Sequence, residues 1–381
     1  MVHVLTFACV ALRGQIAEVR GRYIQPGSVA WPSSAAVKLN GGDGVKGLRI
    51  HLAVVRETEV LDLLQQRARS TREGHVLVDD PASADLILLL GNYAERPRLL
   101  LDHPVYREYS GKCAVYNDDD IYIPLLPGVY ASAVRGLSSA VGRVFSYAHV
   151  SRNGRYTNPY VQGGAKTSKD IFFSFVGGST SLVRKRLFNL GFERKDILIR
   201  NTSTYYHWDD TQADRSLRQR EYADVLLRSH FVLCPRGAGS SSIRLFESML
   251  AGSAPVLIAD DYLLPPNVDW DSFLLKIPES RINRIEEFLE PHLASAELLG
   301  KRAQEAYLGE YGPDVEFDRI VDLCHRARRH KGIPETMFRM LRPWMIARSR
   351  LGRGMRRWAR DFVIWCMRRL KIRNPYQMNE R

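Results

Sequence analysis

Two periodicities alternate along this chain. Short apolar runs rich in β-branched residues stand between longer stretches whose apolar positions recur three and four apart, the alternation that builds parallel α/β sheets. In the first half the runs predict strands over 48–55, 76–78, 85–90, 112–116 and 143–147, with a helix over 57–69. Segments 25–47 and 151–169 are rich in Gly, Pro, Ser and Asn without a period, so both read as loops and the second as a linker. Beyond it the pattern predicts strands over 171–176, 196–200, 231–233 and 255–259. Helices are expected over 179–190, 215–228, 241–250, 281–289, 295–308 and 315–329. No repeat of solenoid period is present. The expected organisation is an α/β domain over 1–165, a second over 166–330, and a tail over 331–381, with a cleft between the two domains.

Length and composition fit that scheme. The 381 residues suffice for two sizeable cores, and 45% hydrophobic with 25% charged residues excludes wholesale disorder. The net charge of +13 would suit a nucleic-acid binder, but its position argues otherwise. Residues 331–381 hold 14 Lys and Arg against Glu335, Asp361 and Glu380, leaving the first 330 residues at only +2. No nucleic-acid partner is expected. The five cysteines are scattered without a C-x-x-C pair, which gives neither a disulfide framework nor a zinc site and fits a reducing compartment. Residues 2–12 are apolar but short of the roughly twenty needed to span a bilayer. They lack a basic flank and a cleavage site, so a buried strand is the preferred reading over a signal peptide.

The chemistry concentrates after the strand at 231–233. There Cys234-Pro-Arg-Gly237 runs into Ala238-Gly-Ser-Ser-Ser242, then Ile243-Arg-Leu-Phe-Glu247 on a helix. Gly237, Gly239, Ser240, Ser241 and Ser242 leave backbone amides open to an anion at a helix N-terminus, and Arg236 adds a cation. Arg244 and Glu247, three apart, share one side of that helix, and the carboxylate can accept both hydroxyls of a ribose. The set describes a nucleotide-diphosphate site. Two other readings remain open. The loop can be a plain tight turn beside a surface ion pair. Alternatively Gly237-x-Gly239-x-x-Ser242, with Asp260 about twenty residues on, can be a dinucleotide fingerprint that lacks its third glycine.

Cys234-Pro-Arg-Gly237, the Ser-rich loop, Arg244-Leu-Phe-Glu247 and Gly252-x-x-Pro-Val256 together resemble the exostosin domain of glycosyltransferase family 47. Upstream the likeness takes in Tyr222, Leu226, Ser229 and Phe231, and downstream Pro265, Asp269, Trp270, Phe273 and the acidic helix after Ile282. Phe175-Val-Gly177 followed by Arg184 looks like the family's first C-terminal strand and its arginine-bearing helix. The resemblance implies a GT-B fold, two Rossmann-like domains facing a cleft. It implies an inverting glycosyltransferase using a nucleotide diphosphate sugar, usually a UDP-sugar, and a glycan acceptor. Gly177, Arg184, Arg236 and the loop would bind the donor and stabilise the departing diphosphate without a metal or other cofactor. A non-catalytic carbohydrate- or nucleotide-binding protein on the same fold is the alternative, and a dinucleotide-binding enzyme ranks third.

The base that deprotonates the acceptor should come from the N-terminal domain. Asp118 and Asp120, in the acidic turn after the 112–116 strand, are candidates, and the segment from Asp120 to Ser132 resembles bacterial exostosin-like chains. The competing readings are a solvated surface turn and an Asp-x-Asp metal site, the latter ranked low. His207, among Tyr205, Tyr206, Trp208 and Asp209, is a third candidate base. In the tail, Met345, Trp358, Phe362, Ile364, Trp365 and Leu370 interleave with arginines. Such a segment is expected to lie on an anionic membrane, which places the protein in the cytoplasm at the inner face; packing on the first domain is the other option.

Overall fold

The apolar runs form two parallel sheets. The computed structural model describes residues 45–136, 142–149, 158–161, 168–204, 214–329 and 338–347, with 139 and 336 as isolated positions. The first half comprises β1 (Arg49–Val54), α1 (Val60–Ala68), β2 (Val76–Leu77), β3 (Leu86–Leu90), α2 (Arg98–Leu101), α3 (Pro104–Tyr109), β4 (Cys113–Asn117), β5 (Gly128–Tyr130) and β6 (Val144–Phe145). Its strands pair in the order β2-β1-β3-β4-β5-β6, every pair parallel. The second half comprises β7 (Ile171–Gly177), α4 (Leu182–Phe188), β8 (Ile197–Asn201), α5 (Arg215–Arg228), β9 (Ser229–Pro235), α6 (Ile243–Leu250), β10 (Ala254–Ile258), β11 (Leu275–Lys276), α7 (Ile285–Leu289), α8 (Ala296–Glu310) and α9 (Glu316–Arg329). Its order is β11-β10-β9-β7-β8, again parallel throughout. Two parallel α/β sheets with surrounding helices are consistent with the expected GT-B arrangement.

Central strands β3, β4, β7 and β10 are buried along their whole length. That is why they read as continuous apolar runs rather than alternating ones. Two strands escaped the pattern. β5 has three residues in a Gly/Pro-rich stretch and β11 has two, too short for periodicity to register. A Cβ on Gly128, where φ is +152°, would lie 2.0 Å from the Val115 carbonyl oxygen, so only glycine lets β5 approach β4. The expected 281–289 helix is split into a 3-10 turn over Glu279–Arg284 and α7, with a kink at Arg281.

Helix α9 crosses back onto the first sheet. It buries Phe317, Ile320, Val321, Leu323 and Cys324, and the Cys324 thiol lies 3.5 Å from the Val115 carbonyl. Tyr311, just before α9, packs on Tyr147 of the first half and Phe246 of the second, at ring separations of 5.1 and 4.9 Å. One apolar core therefore runs under both sheets. The expected tail begins inside this body rather than beyond it. Residues 338–347 are helical. Phe338 is buried under the Arg143 guanidinium, 4.1 Å from its ring, and Arg342 donates to the Leu125 carbonyl at 2.9 Å. Met340 and Trp344 on the same helix remain 77% and 57% exposed. Trp358, Phe362, Ile364, Trp365 and Leu370 lie outside the described residues.

Candidate active site

The chain leaves β7 toward β8 on one side and leaves β9 toward β10 on the other. The carboxyl ends of β7 and β9 thus flank the point where connections diverge, and open α/β sheets keep a crevice there. Two segments line it, 177–184 after β7 and 235–244 after β9. Ser181 ties them together: it caps α4 by accepting from the Arg184 amide and donates to the Arg236 carbonyl at 2.9 Å.

Two guanidiniums are buried in this wall. Arg184 donates to the Pro235 carbonyl at 3.1 Å and to the Gly178 carbonyl at 3.3 Å. Arg244 donates to the Val176 carbonyl, with its guanidinium 4.6 Å from the Phe175 ring centre and 5.8 Å from that of Tyr222. Both are 9% exposed, and no carboxylate among the described residues forms an ion pair with either. Burial, followed by the neighbouring Arg244 charge, pulls Arg184 down to about 9, so it stays charged at neutral pH. A Cβ on Gly177 would sit 2.6 Å from Arg244 Nη2, so the end of β7 must be bare for that guanidinium to fit. Two unpaired buried cations on one ring are electrostatically costly unless an anion joins them.

The remaining predicted residues have mixed placements. Arg236 lies beside the crevice with its Nε on Glu279 at 2.7 Å, so the cation expected beside the loop is held by an ion pair. Glu247 accepts from the Tyr222 hydroxyl at 2.5 Å, and burial with that carboxylate raises the Tyr222 pKa well above its usual value. The loop closes on itself through Gly237 N–H to the Ser241 carbonyl at 3.2 Å. The amides of 238–242 donate to no protein acceptor among the described residues. Ser242 is buried at the N-cap of α6, and its Oγ has no partner. Amides, an orphan hydroxyl and a helix N-terminus together make an anion cradle. Asp260 accepts from the Glu279 amide at 3.0 Å, which occupies the acid a dinucleotide fingerprint would need for a ribose.

The first sheet meets this loop directly. The acidic turn follows β4, and a Cβ on Gly239 would lie 2.7 Å from the Asp120 carbonyl oxygen and 2.6 Å from Ser132 Oγ. Glycine at 239 is therefore what lets the two halves touch. Asp120 is exposed at the mouth, and its charge acts on Arg184 across the crevice. Asp118 is half-buried, and its carbonyl faces His149 Nδ1 at 2.9 Å. Asp119, between them, is pushed up to about 6 by burial, with the flanking carboxylates adding to the shift; its Oδ2 has no partner. Among the described residues no cluster of His, Cys, Asp or Glu is arranged to hold a metal ion. His207 lies outside the described residues.

Sequence reasoning passed over His149, Ser132 and Tyr222 as site residues. His149 Nε2 is 2.9 Å from Ser241 Oγ, which is 2.9 Å from Ser132 Oγ. These partners are far apart in the chain, and a lone histidine at the end of an apolar run carries no spacing signal.

Residues 146–291 match the Exostosin GT47 domain. Among curated proteins, an exostosin-1 homolog of Caenorhabditis elegans is 33% identical over 103 residues, covering 25% of this chain and 27% of the relative. A probable glucuronosyltransferase of Oryza sativa subsp. japonica is 40% identical over 80 residues, covering 20% and 19%. A probable glucuronoxylan glucuronosyltransferase of Arabidopsis thaliana is 37% identical over 98 residues, covering 24% and 22%. The aligned stretches thus span about a quarter or less of these relatives' length.

Proposed function

From a chain that carries an exostosin-type glycosyltransferase domain over 146–291, we propose a glycosyltransferase that moves a sugar from a nucleotide diphosphate donor to an acceptor hydroxyl with inversion. The observation that carries the reading is the pair of buried guanidiniums, Arg184 and Arg244, without carboxylate partners among the described residues, beside the amides of 238–242. That arrangement suits a diphosphate, whose negative charge grows as it leaves. The acceptor oxygen attacks the anomeric carbon, the bond to the diphosphate oxygen breaks, and Asp120 takes the hydroxyl proton. Asp120 is the exposed carboxylate of the turn and its charge acts on Arg184, while Asp118 and Asp119 are half-buried and Asp119 Oδ1 accepts from the Ile121 amide. With guanidiniums and amides neutralising the diphosphate, the reaction is expected to need no metal.

Uridine diphosphate is the expected carrier, by resemblance to the family. Several relatives are named glucuronosyltransferases, so UDP-glucuronate heads the donor panel. The basic tail is proposed to rest on an anionic membrane from the inner side, with exposed Met340 and Trp344 extending its apolar face. The test is titration calorimetry with uridine diphosphate, followed by sugar-nucleotide turnover in the presence of EDTA. Binding by uridine diphosphate with sugar release that survives the chelator is the expected result. Binding without any turnover would leave a carbohydrate- or nucleotide-binding protein, and preference for a nicotinamide dinucleotide would overturn the donor assignment.

A further inference from the structure

We propose that His149 is a positioning residue that clamps the donor loop to the acidic turn, so that donor binding is felt at Asp120. The inference rests on the donor site proposed above. His149 follows β6, is 6% exposed and touches both halves of the molecule. Its Nδ1 faces the Asp118 carbonyl at 2.9 Å, an oxygen that only accepts, so Nδ1 carries the proton. In the neutral ring Nε2 must then accept, and the Ser241 hydroxyl donates to it at 2.9 Å. With its proton committed, Ser241 Oγ accepts from Ser132 at 2.9 Å. Ser240 adds a bond to the Ser132 carbonyl at 2.8 Å.

Every hydrogen in this chain has one consistent direction, from Ser132 through Ser241 and His149 to the backbone of the acidic turn. The Ser241 hydroxyl is therefore spent on the clamp, whereas Ser242 Oγ is the loop hydroxyl left for a ligand. That gives the Ser241 hydroxyl to alignment and leaves its amide in the anion cradle. The chain crosses where Gly239 meets Asp120, so it sets the spacing between the anion cradle and the carboxylate. Reaction geometry of this kind is sensitive to shifts of an ångström.

The experiment is amide hydrogen exchange on the full-length protein with and without uridine diphosphate, in wild type, His149→Asn, His149→Gln and Ser241→Ala. Asn reaches the Asp118 carbonyl but not Ser241, and Gln reaches Ser241. In wild type, uridine diphosphate is expected to slow exchange in both 237–242 and 118–121. In His149→Asn and Ser241→Ala protection should stay within the loop, with the turn losing it about fivefold, the effect of roughly one hydrogen bond. His149→Gln should restore part of it, which a residue acting only on stability would not do. Undiminished protection of the turn in both His149→Asn and Ser241→Ala overturns the clamp. If uridine diphosphate protects nowhere in wild type, the donor-site reading falls instead, and unliganded exchange decides: acceleration of both segments in His149→Asn upholds the clamp, and unchanged rates overturn it.

Discussion

The carboxyl ends of the two sheets face each other with opposite charge and share one physical device. The second sheet buries Arg184 and Arg244 without a carboxylate partner among the described residues, and burial lowers Arg184 to about 9. Beside the first sheet Asp119 is half-buried with no ion pair among the described residues, and that burial raises it to about 6. Each side carries charge that its own half leaves unneutralised. In the proposed reaction, fixed cations suit a diphosphate, whereas a carboxylate turn suits a proton. The two sides stay separate charges rather than one salt bridge because the contact between them is made by backbone at Gly239 and by the hydrogen-bonded chain of Ser132, Ser241 and His149.

The sharpest way to break the comparison is Asp120→Asn. Turnover should fall about 100-fold or more while uridine diphosphate affinity is not reduced, measured by steady-state kinetics and calorimetry. Loss of both together would place Asp120 on the donor side. On the opposite wall, Arg184→Lys keeps charge but loses the fork, and nucleotide affinity should drop about tenfold by calorimetry. Gly239→Ala acts on the contact itself. Its methyl would force Ser132 and the Asp120 backbone away, costing about 1–3 kcal/mol in denaturant unfolding, an overpacking penalty, and reducing turnover as well.

Asp119→Asn tests the acidic side by pH. With a folded pKa near 6, above that of the unfolded chain, Asp119 holds its proton longer when folded. Stability it contributes below the unfolded value is lost as pH rises to about 6. The asparagine variant should therefore match wild type near pH 4 and exceed it at pH 7.5 by roughly 1–2 kcal/mol, read from urea midpoints. The smallest effect is expected outside the crevice. Trp344→Ala should change stability by less than about 0.5 kcal/mol yet weaken sedimentation with anionic vesicles. Phe338→Ala, by contrast, removes a buried ring and should unfold more readily by about 3 kcal/mol.

By itself the sequence marked the central strands of both sheets through their apolar runs, because strands buried on both faces must be apolar throughout, and it marked the longer helices. The short α2 and α3 between β3 and β4 went unmarked, because four and six residues set no helical period. The sequence also marked the anion loop, since Gly237, Gly239 and the serines are the residue types that expose amides, and it named Arg184, Arg244 and Asp120. Short β5 and β11 escaped because three and two residues set no period. How these residues are used depends on the packing of the two halves. Arg236 turned out to be paired with Glu279, 43 positions away, and Ser241 with His149, 92 positions away. The start of the basic tail became core because Phe338 found Arg143. Local spacing specifies which face of an element is apolar. A hydrogen bond between halves depends on where two sheets dock, and that is fixed by the packing of Tyr147, Phe246 and Tyr311, not by any pattern along the chain.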